Sequence, residues 1–337
     1  MINKKNIFKL LKVTFLLIGL AYLVHLILSL GVMTLLNQIF SMKFGFVLIM
    51  IVAFVEYFFH TIAWYYTFDV KSSCLNFPRM LKIWLGANGV KYLNPLGNVG
   101  GESYRLYILT QYVNKKEAAA SMVSDSFSHI IMMILLMFIA FVIGIFVWPI
   151  DTKFIVAGSL FFLVFFLAFL FIFNFQQKGS FFHKIFLFLD KLVPFDISSF
   201  VEKFKKLDEL ISTYHIDGQK KFVYCCLHHF IGKAVSFFEI WIIMYCLGHQ
   251  ITLLDSFLVY AFIQLITVFF FFMPSQIGVA EGGIYYLFQY IGLSPEVGVA
   301  MALVRRVRLV TWAVLGYLII IWGVKPGEKF KTVSLQP

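Results

Sequence analysis

The sequence predicts an all-α polytopic membrane protein, with about seven spanning helices and broken, re-entrant half-helices arranged as an inverted repeat. Three observations carry this expectation. Apolar residues fill 61% of the 337 positions and charged ones only 13%, whereas soluble domains average about 45–50% and about 25%. Apolar runs of the roughly 20 residues needed to cross a bilayer recur from end to end. Two Pro- and Gly-rich interruptions fall inside such runs, separated by a common offset. No stretch remains for a separate soluble domain, so positions 1–337 read as one membrane domain.

Spanning segments are expected at about 12–35, 45–67, 118–147, 153–174, 222–247, 255–273 and 297–323. Lys4, Lys5, Lys9 and Lys12 precede an apolar stretch from Val13 to Leu36. It is too long for a signal-peptide core and lacks an A-x-A-like site, so it should remain as the first helix. Two shorter pieces break the pattern. An apolar stretch from Met80 to Leu93 meets Pro95, Gly97, Gly100 and Gly101 and resumes as a half-helix from Glu102 to about Tyr112. The helix ending at Met273 meets Pro274 and Gly278, and a half-helix follows from Glu281 to Tyr290. Proline removes a backbone donor and glycine permits unusual dihedrals, so each break frees peptide groups that lipid cannot satisfy. Such breaks belong inside protein or beside a polar cavity.

The two pieces align without a gap. Pro95 and Pro274, Glu102 and Glu281, Tyr107 and Tyr286, and Glu117 and Glu296 each differ by 179. Repeat 1 then covers about 80–147 and repeat 2 about 255–323. The basic residues set the orientation. Lys4 to Lys12, Lys71, Arg79, Lys82, Lys115, Lys116, the Lys-rich segment 178–221 and Lys325 to Lys331 belong on the cytoplasmic side, with Lys43 and Lys153 opposite. Both termini are then cytoplasmic and the repeats are inverted, as in transporters that alternate access about a midplane site. The hydrophilic connector, about 176–221, places Phe200, Phe204, Leu207, Ile211 and Tyr214 on one helical face, as expected of a helix lying on the membrane surface.

The candidate site is a set of charges within these apolar segments. Glu102 and Arg105 share a face at i, i+3; Asp125 and His129 share one at i, i+4, extended by Ser121 and Ser128. In the second repeat Glu281 opens the half-helix, and Arg305 and Arg308 lie on the helix that follows. Facing lipid, each charge would cost roughly 2.5–3.5 kcal/mol, and these six about 15–21 kcal/mol together. That exceeds the stability of about 5–15 kcal/mol of a typical protein. They must therefore face inward, either as an ion-pair network that fastens the repeats or as a binding site. Half-helix N-termini carry unpaired N–H groups and positive dipole ends, so two of them near Arg305 and Arg308 suit an anion such as phosphate. Glu102 and Glu281 sit where a carboxylate caps a helix or exchanges protons. Glu56, Lys233 and Glu239 also lie in apolar helices, and either pairing or site lining is open to them.

Other chemistry finds less support. The net charge of +11 follows the loops outside the apolar runs, so it reports topology and anionic lipid rather than nucleic acid. Cys74, Cys225, Cys226 and Cys246 show no CxxC spacing and read as small buried hydrophobes. Cys225, Cys226, His228 and His229 offer too few well-aimed metal ligands on one turn, and no partner cluster is evident. No Walker A, GxSxG or HExxH pattern occurs, so neither a cofactor nor a metal is expected.

Pro95-x-Gly97-x-x-Gly100-Gly101-Glu102-x-x-Arg105, then Pro274-x-x-x-Gly278-x-x-Glu281 and the cluster from Arg305 to Arg308, resemble the lysylphosphatidylglycerol synthase transmembrane region, or flippase-like domain, over about 10–325. One departure is Gln276, which stands where many relatives have further Gly or Pro and should make the second break stiffer. In members that carry a soluble aminoacyltransferase domain, this region is implicated in moving aminoacylated phosphatidylglycerol between leaflets. No such domain is expected in this chain. The resemblance thus implies a flippase or transporter of a phospholipid or polyprenyl-linked lipid in a bacterial inner membrane, with lipid-pathway enzymes as partners. A membrane-embedded transferase on a lipid-linked donor, with Glu102 or Asp125 as base, and an accessory subunit of such a pathway are the alternatives. Cargo, direction, energy source and oligomeric state are not legible from these residues.

Overall fold

A computed structural model describes residues 44–68, 75–93, 98–177, 219–271 and 278–323, together with Leu28, Met33, Met42, Met273 and Gln276. The described residues form nine helices and no strand: α1 (Phe44–Tyr65), α2 (Phe77–Leu93), α3 (Asn98–Leu109), α4 (Lys115–Val147), α5 (Thr152–Gln177), α6 (Gln219–Cys246), α7 (Leu253–Phe269), α8 (Val279–Tyr290) and α9 (Pro295–Gly323). The protein is an all-α polytopic membrane protein. Six of the expected spans are helices with ends within a few residues of those read from the sequence, and α1, α4 and α6 are long and apolar enough to cross a bilayer. The expected first helix, about 12–35, falls outside the described residues apart from Leu28 and Met33. The amphipathic connector also lies outside them, save for its ends, which extend α5 and α6.

Helix starts follow local chemistry. Asn114 accepts a hydrogen bond from the Glu117 backbone N–H at 2.9 Å and begins α4, while Thr252 accepts one from Asp255 N–H at 3.0 Å and begins α7. Glu117 and Glu296 stand in the first turns of α4 and α9, where a carboxylate offsets the positive helix end. Of the residues expected at the breaks, Pro95, Gly97 and Pro274 lie outside the described set, whereas Gly100 and Gly101 are already helical, in the first turn of α3. Gly101 is needed there for packing: a Cβ would lie 2.7 Å from the Ala87 carbonyl oxygen of α2.

At the second break Gln276 takes a backbone conformation that glycine adopts more freely. Its φ of 50° is left-handed, a region that disfavours a side chain. Its amide compensates by donating to the Thr267 carbonyl at 3.2 Å and accepting from the Thr267 hydroxyl at 3.3 Å, which ties the break to the end of α7.

Packing crosses between the two groups of helices. α2 lies along α9, and α7 along α4, while α6 sits between α1 and α4. The α2–α9 contact depends on glycines: a Cβ on Gly316 would lie 2.3 Å from the Leu85 carbonyl oxygen, and one on Gly89 would lie 2.9 Å from that of Ala313. Without a hydrophobic drive between helices in lipid, such small-residue contacts supply the close dispersion that holds them together. The main apolar core joins Leu136 and Ala140 of α4, Ile240 and Ile243 of α6, Val259 and Ile263 of α7, Phe288 of α8 and Val304 of α9. A second cluster joins Trp64 of α1, Met80 and Ile83 of α2 and Ile108 and Leu109 of α3. Outward faces are apolar too: Leu160, Leu163, Val164, Phe166 and Leu167 of α5 are exposed, as a lipid-facing helix requires.

Candidate functional site

The charges gather in two clusters and, apart from the exposed Glu102, are turned inward. The first is built on Arg105 of α3, which is 2% exposed. One of its terminal nitrogens donates to Asp125 of α4 at 2.6 Å. The other is 3.4 Å from the Glu102 carboxylate, whose side chain remains 48% exposed. The guanidinium lies over the Trp64 and Trp84 rings, with its carbon 4.1 and 4.6 Å from the ring centroids, so α1 and α2 supply aromatic faces to a cation delivered by α3. Asp125 uses its second oxygen to accept from Nε2 of His229 on α6, at 3.0 Å.

Behind His229 lie two more imidazoles. Nδ1 of His60 is 2.9 Å from Nδ1 of His229, and Nδ1 of His129 is 3.4 Å from it. Nε2 of His60 points at Glu56, one turn back on α1, at 3.5 Å. Close approach of α1 to α6 is allowed by Gly232, where a Cβ would lie 3.1 Å from the His60 ring. Cys225 completes the group with Sγ 3.0 Å from the Ser128 hydroxyl.

The second cluster is built on Glu239 of α6. Arg308 donates to it through Nε and a terminal nitrogen, both at 2.8 Å, and Arg305 approaches the same carboxylate at 3.3 Å. A fork on a carboxylate in this fashion is the strong, orienting form of the pair. Glu281 caps α8 by accepting from the Gly278 N–H at 2.8 Å, and its other oxygen accepts from Nε of Arg306 at 2.5 Å. Gly278 is required at this cap, since its φ is 82°.

The expected residues are thus placed as follows. Glu102, Arg105 and Asp125 come together, and so do Arg305 and Arg308. Glu281 joins the chemistry through Arg306 rather than through either of those arginines. Among the described residues, no hydrogen bond or ion pair joins Arg105 or Asp125 to Arg305 or Arg308; α6 stands between them, presenting His229 to one set and Glu239 to the other. Glu102 and Glu281, matched in sequence, differ in surroundings: Glu281 is 1% exposed and works as a cap, whereas Glu102 faces outward.

Asp125 and His129 share a face of α4 as expected, and the hydrogen bond of Asp125 goes across helices to His229. One assignment from sequence needs correction. His229 does have a partner cluster, formed by His60 and His129; within one turn of α6 no such cluster is visible because its members come from three helices. His228 instead turns Nδ1 to the Tyr224 carbonyl at 2.7 Å. Residues able to hold a metal are the set His60, His129 and His229 and the set Asp125, Cys225 and His229. Reading the polar positions Glu56 and His60 on α1 together with His229, Lys233 and Glu239 on α6 as two inward stripes would have pointed to these contacts.

Helices that turn apolar side chains outward and hold paired charges within define an integral membrane protein with a polar interior. The chain belongs to the lysylphosphatidylglycerol synthase TM region family, whose model matches residues 10–318. The family points to a function connected with membrane lipid. Comparisons with curated proteins and with solved structures gave no match.

Proposed function

We propose that this protein moves a lipid with an anionic headgroup, a phospholipid or a polyprenyl-linked lipid, between the leaflets of a bacterial inner membrane. The observation that carries the reading is that Arg305 and Arg308 share the single carboxylate of Glu239. One anion between two guanidiniums leaves positive charge uncompensated inside the bundle, and Arg306 stands next to them beside the capped N-terminus of α8. A phosphate entering there gains charge-assisted hydrogen bonds in a medium of low dielectric. Arg105 provides a further guanidinium, set against the Trp64 and Trp84 rings, with Glu102 and Asp125 beside it. Glu102, Arg105, Asp125, Glu281, Arg305 and Arg308 then line the headgroup route. The triplets α2–α4 and α7–α9 act as inverted repeats that rock about it, with both chain termini on the cytoplasmic side.

Translocation of fluorescent lipid analogues in proteoliposomes tests this. The wild type is expected to move an anionic analogue at least tenfold faster than a zwitterionic one, and Arg305→Ala with Arg308→Ala is expected to remove the preference. Equal rates for both analogues, or a preference that survives the double substitution, would contradict the reading.

One observation favours a second reading. The Asp125 carboxylate oriented on the His229 imidazole is a pair suited to general-base chemistry, as in a transferase acting on a lipid-linked donor. Product analysis after incubation with lipid-linked sugars separates the two, because translocation leaves the lipid chemically unchanged.

A further inference from the structure

We propose that His60, His129 and His229 form a binding site for a divalent transition-metal ion, Zn2+ in the simplest case, through their three Nδ1 atoms. The argument begins with where the imidazole hydrogens must be. Nε2 of His229 faces the Asp125 carboxylate at 3.0 Å, and a carboxylate beside Arg105 is an acceptor, so Nε2 carries the hydrogen. Nε2 of His60 stands 3.5 Å from the Glu56 carboxylate without a hydrogen bond to it. The His229 tautomer is thus the one assigned by its partner. In a neutral imidazole the other nitrogen is then a bare lone pair.

The consequence is that Nδ1 of His229 has one lone pair to offer two neighbouring imidazoles. The Nδ1 atoms of His60 and His229 are 2.9 Å apart, and Nδ1 of His129 is 3.4 Å from that of His229. The three rings stand at nearly equal spacings, with centroids 4.9, 5.0 and 5.0 Å apart. A hydrogen bond from one neighbour satisfies one pair of nitrogens and leaves the third out. A metal ion relieves all three. Tetrahedral bonds of about 2.0–2.1 Å place ligand nitrogens about 3.3 Å apart, which the 3.4 Å pair matches and the 2.9 Å pair reaches by opening a few tenths of an ångström.

The surroundings match what metal-bound histidines need. Asp125 and Glu56 face the outer nitrogens of two of the rings, the arrangement that orients imidazole ligands and raises their basicity. Lys233 lies within electrostatic reach of Glu56, His60 and His129 and opposes a cation, with the two carboxylates acting against it. His60 and His229 are buried and His129 is partly exposed, which leaves a side for entry and for a fourth ligand. The alternative set of Asp125, Cys225 and His229 is poorer: its carboxylate is engaged by Arg105 and by the His229 N–H, and its thiol by Ser128. An ion on the three histidines ties α1, α4 and α6 together and, through His229 and Asp125, steadies Arg105 of α3.

Purified full-length protein in lipid nanodiscs, stripped with chelator, is titrated with Zn2+ and, separately, with Co2+ as a spectroscopic probe. The wild type is expected to take up about one equivalent and to show the intense visible absorption of four-coordinate Co2+ without thiolate-to-metal charge transfer. His60→Gln, His129→Gln and His229→Gln should each weaken binding at least tenfold, and Asp125→Asn by about 10–100-fold. His228→Gln and Cys225→Ser should leave it unchanged. Failure of the wild type to bind either ion would overturn the proposal, as would thiolate charge transfer lost in Cys225→Ser, or binding unaltered in well-behaved His60→Gln and His129→Gln proteins. Should those variants fail to fold, the wild-type and Cys225→Ser spectra still decide between nitrogen ligation and the competing set. Metal content is read without lipid movement, so the outcome is independent of the translocation assay.

Discussion

Glu239 shows at residue scale how buried charge is managed. Two arginines hold it, and its two oxygens take all three of their hydrogen bonds. Removing one partner of a buried pair leaves the other charge uncompensated, at a cost of about 3–5 kcal/mol, several times what the pair itself contributes relative to apolar packing. Glu239→Gln is therefore expected to destabilise the protein by about 3–5 kcal/mol, measured by SDS-induced unfolding in mixed micelles. A loss below about 1 kcal/mol, the scale of an exposed pair, would show that water or lipid headgroups already screen the cluster. Arg105 is held differently. Its ion pair to Asp125 is short, and its guanidinium also lies against the Trp64 and Trp84 rings, a contact for which the delocalised guanidinium is better suited than lysine's point charge.

At the scale of elements, contacts between helices rest on glycine where backbones touch. A Cβ on Gly316 would overlap the Leu85 carbonyl at 2.3 Å, so α2 and α9 cannot hold their distance with a larger residue there. Gly316→Leu should cost about 1–3 kcal/mol in the same unfolding measurement, and unchanged stability would mean that the two helices are not seated on each other as described. The helices themselves were legible in the sequence because length and apolarity suffice for them: Phe44–Tyr65 and Leu253–Phe269 declare themselves against their flanks. The inward set was legible too, since lipid penalises Arg105, Asp125 and Arg308 wherever they face outward. Partner choice was not. Arg308 takes Glu239 of α6, while Glu281 of α8 goes to Arg306; that selection depends on how α6, α8 and α9 cross, which no spacing within one helix encodes. Gly101 reads ambiguously for a related reason, because glycine that allows a close approach looks in sequence like glycine that allows a turn.

At the scale of the whole molecule, α6 is the common wall of the polar interior. His229 closes the cluster around Arg105 and Glu239 closes the one around Arg308, so the charges of the two helix triplets meet the same helix rather than each other. A bundle arranged in this way can change the exposure of one cluster while the other remains paired, which is what movement of a headgroup between leaflets requires. In the proposed function, the two arginines at Glu239 would give that movement a preference for negative charge. Its most direct test is the lipid that accompanies the protein when it is extracted in native nanodiscs and its headgroups are compared with those of the surrounding membrane. The account predicts enrichment of an anionic or phosphate-bearing polyprenyl lipid with the wild type and its loss when Arg305→Ala and Arg308→Ala are combined. A headgroup composition equal to that of the bulk membrane, or enrichment that persists in the double variant, would contradict it.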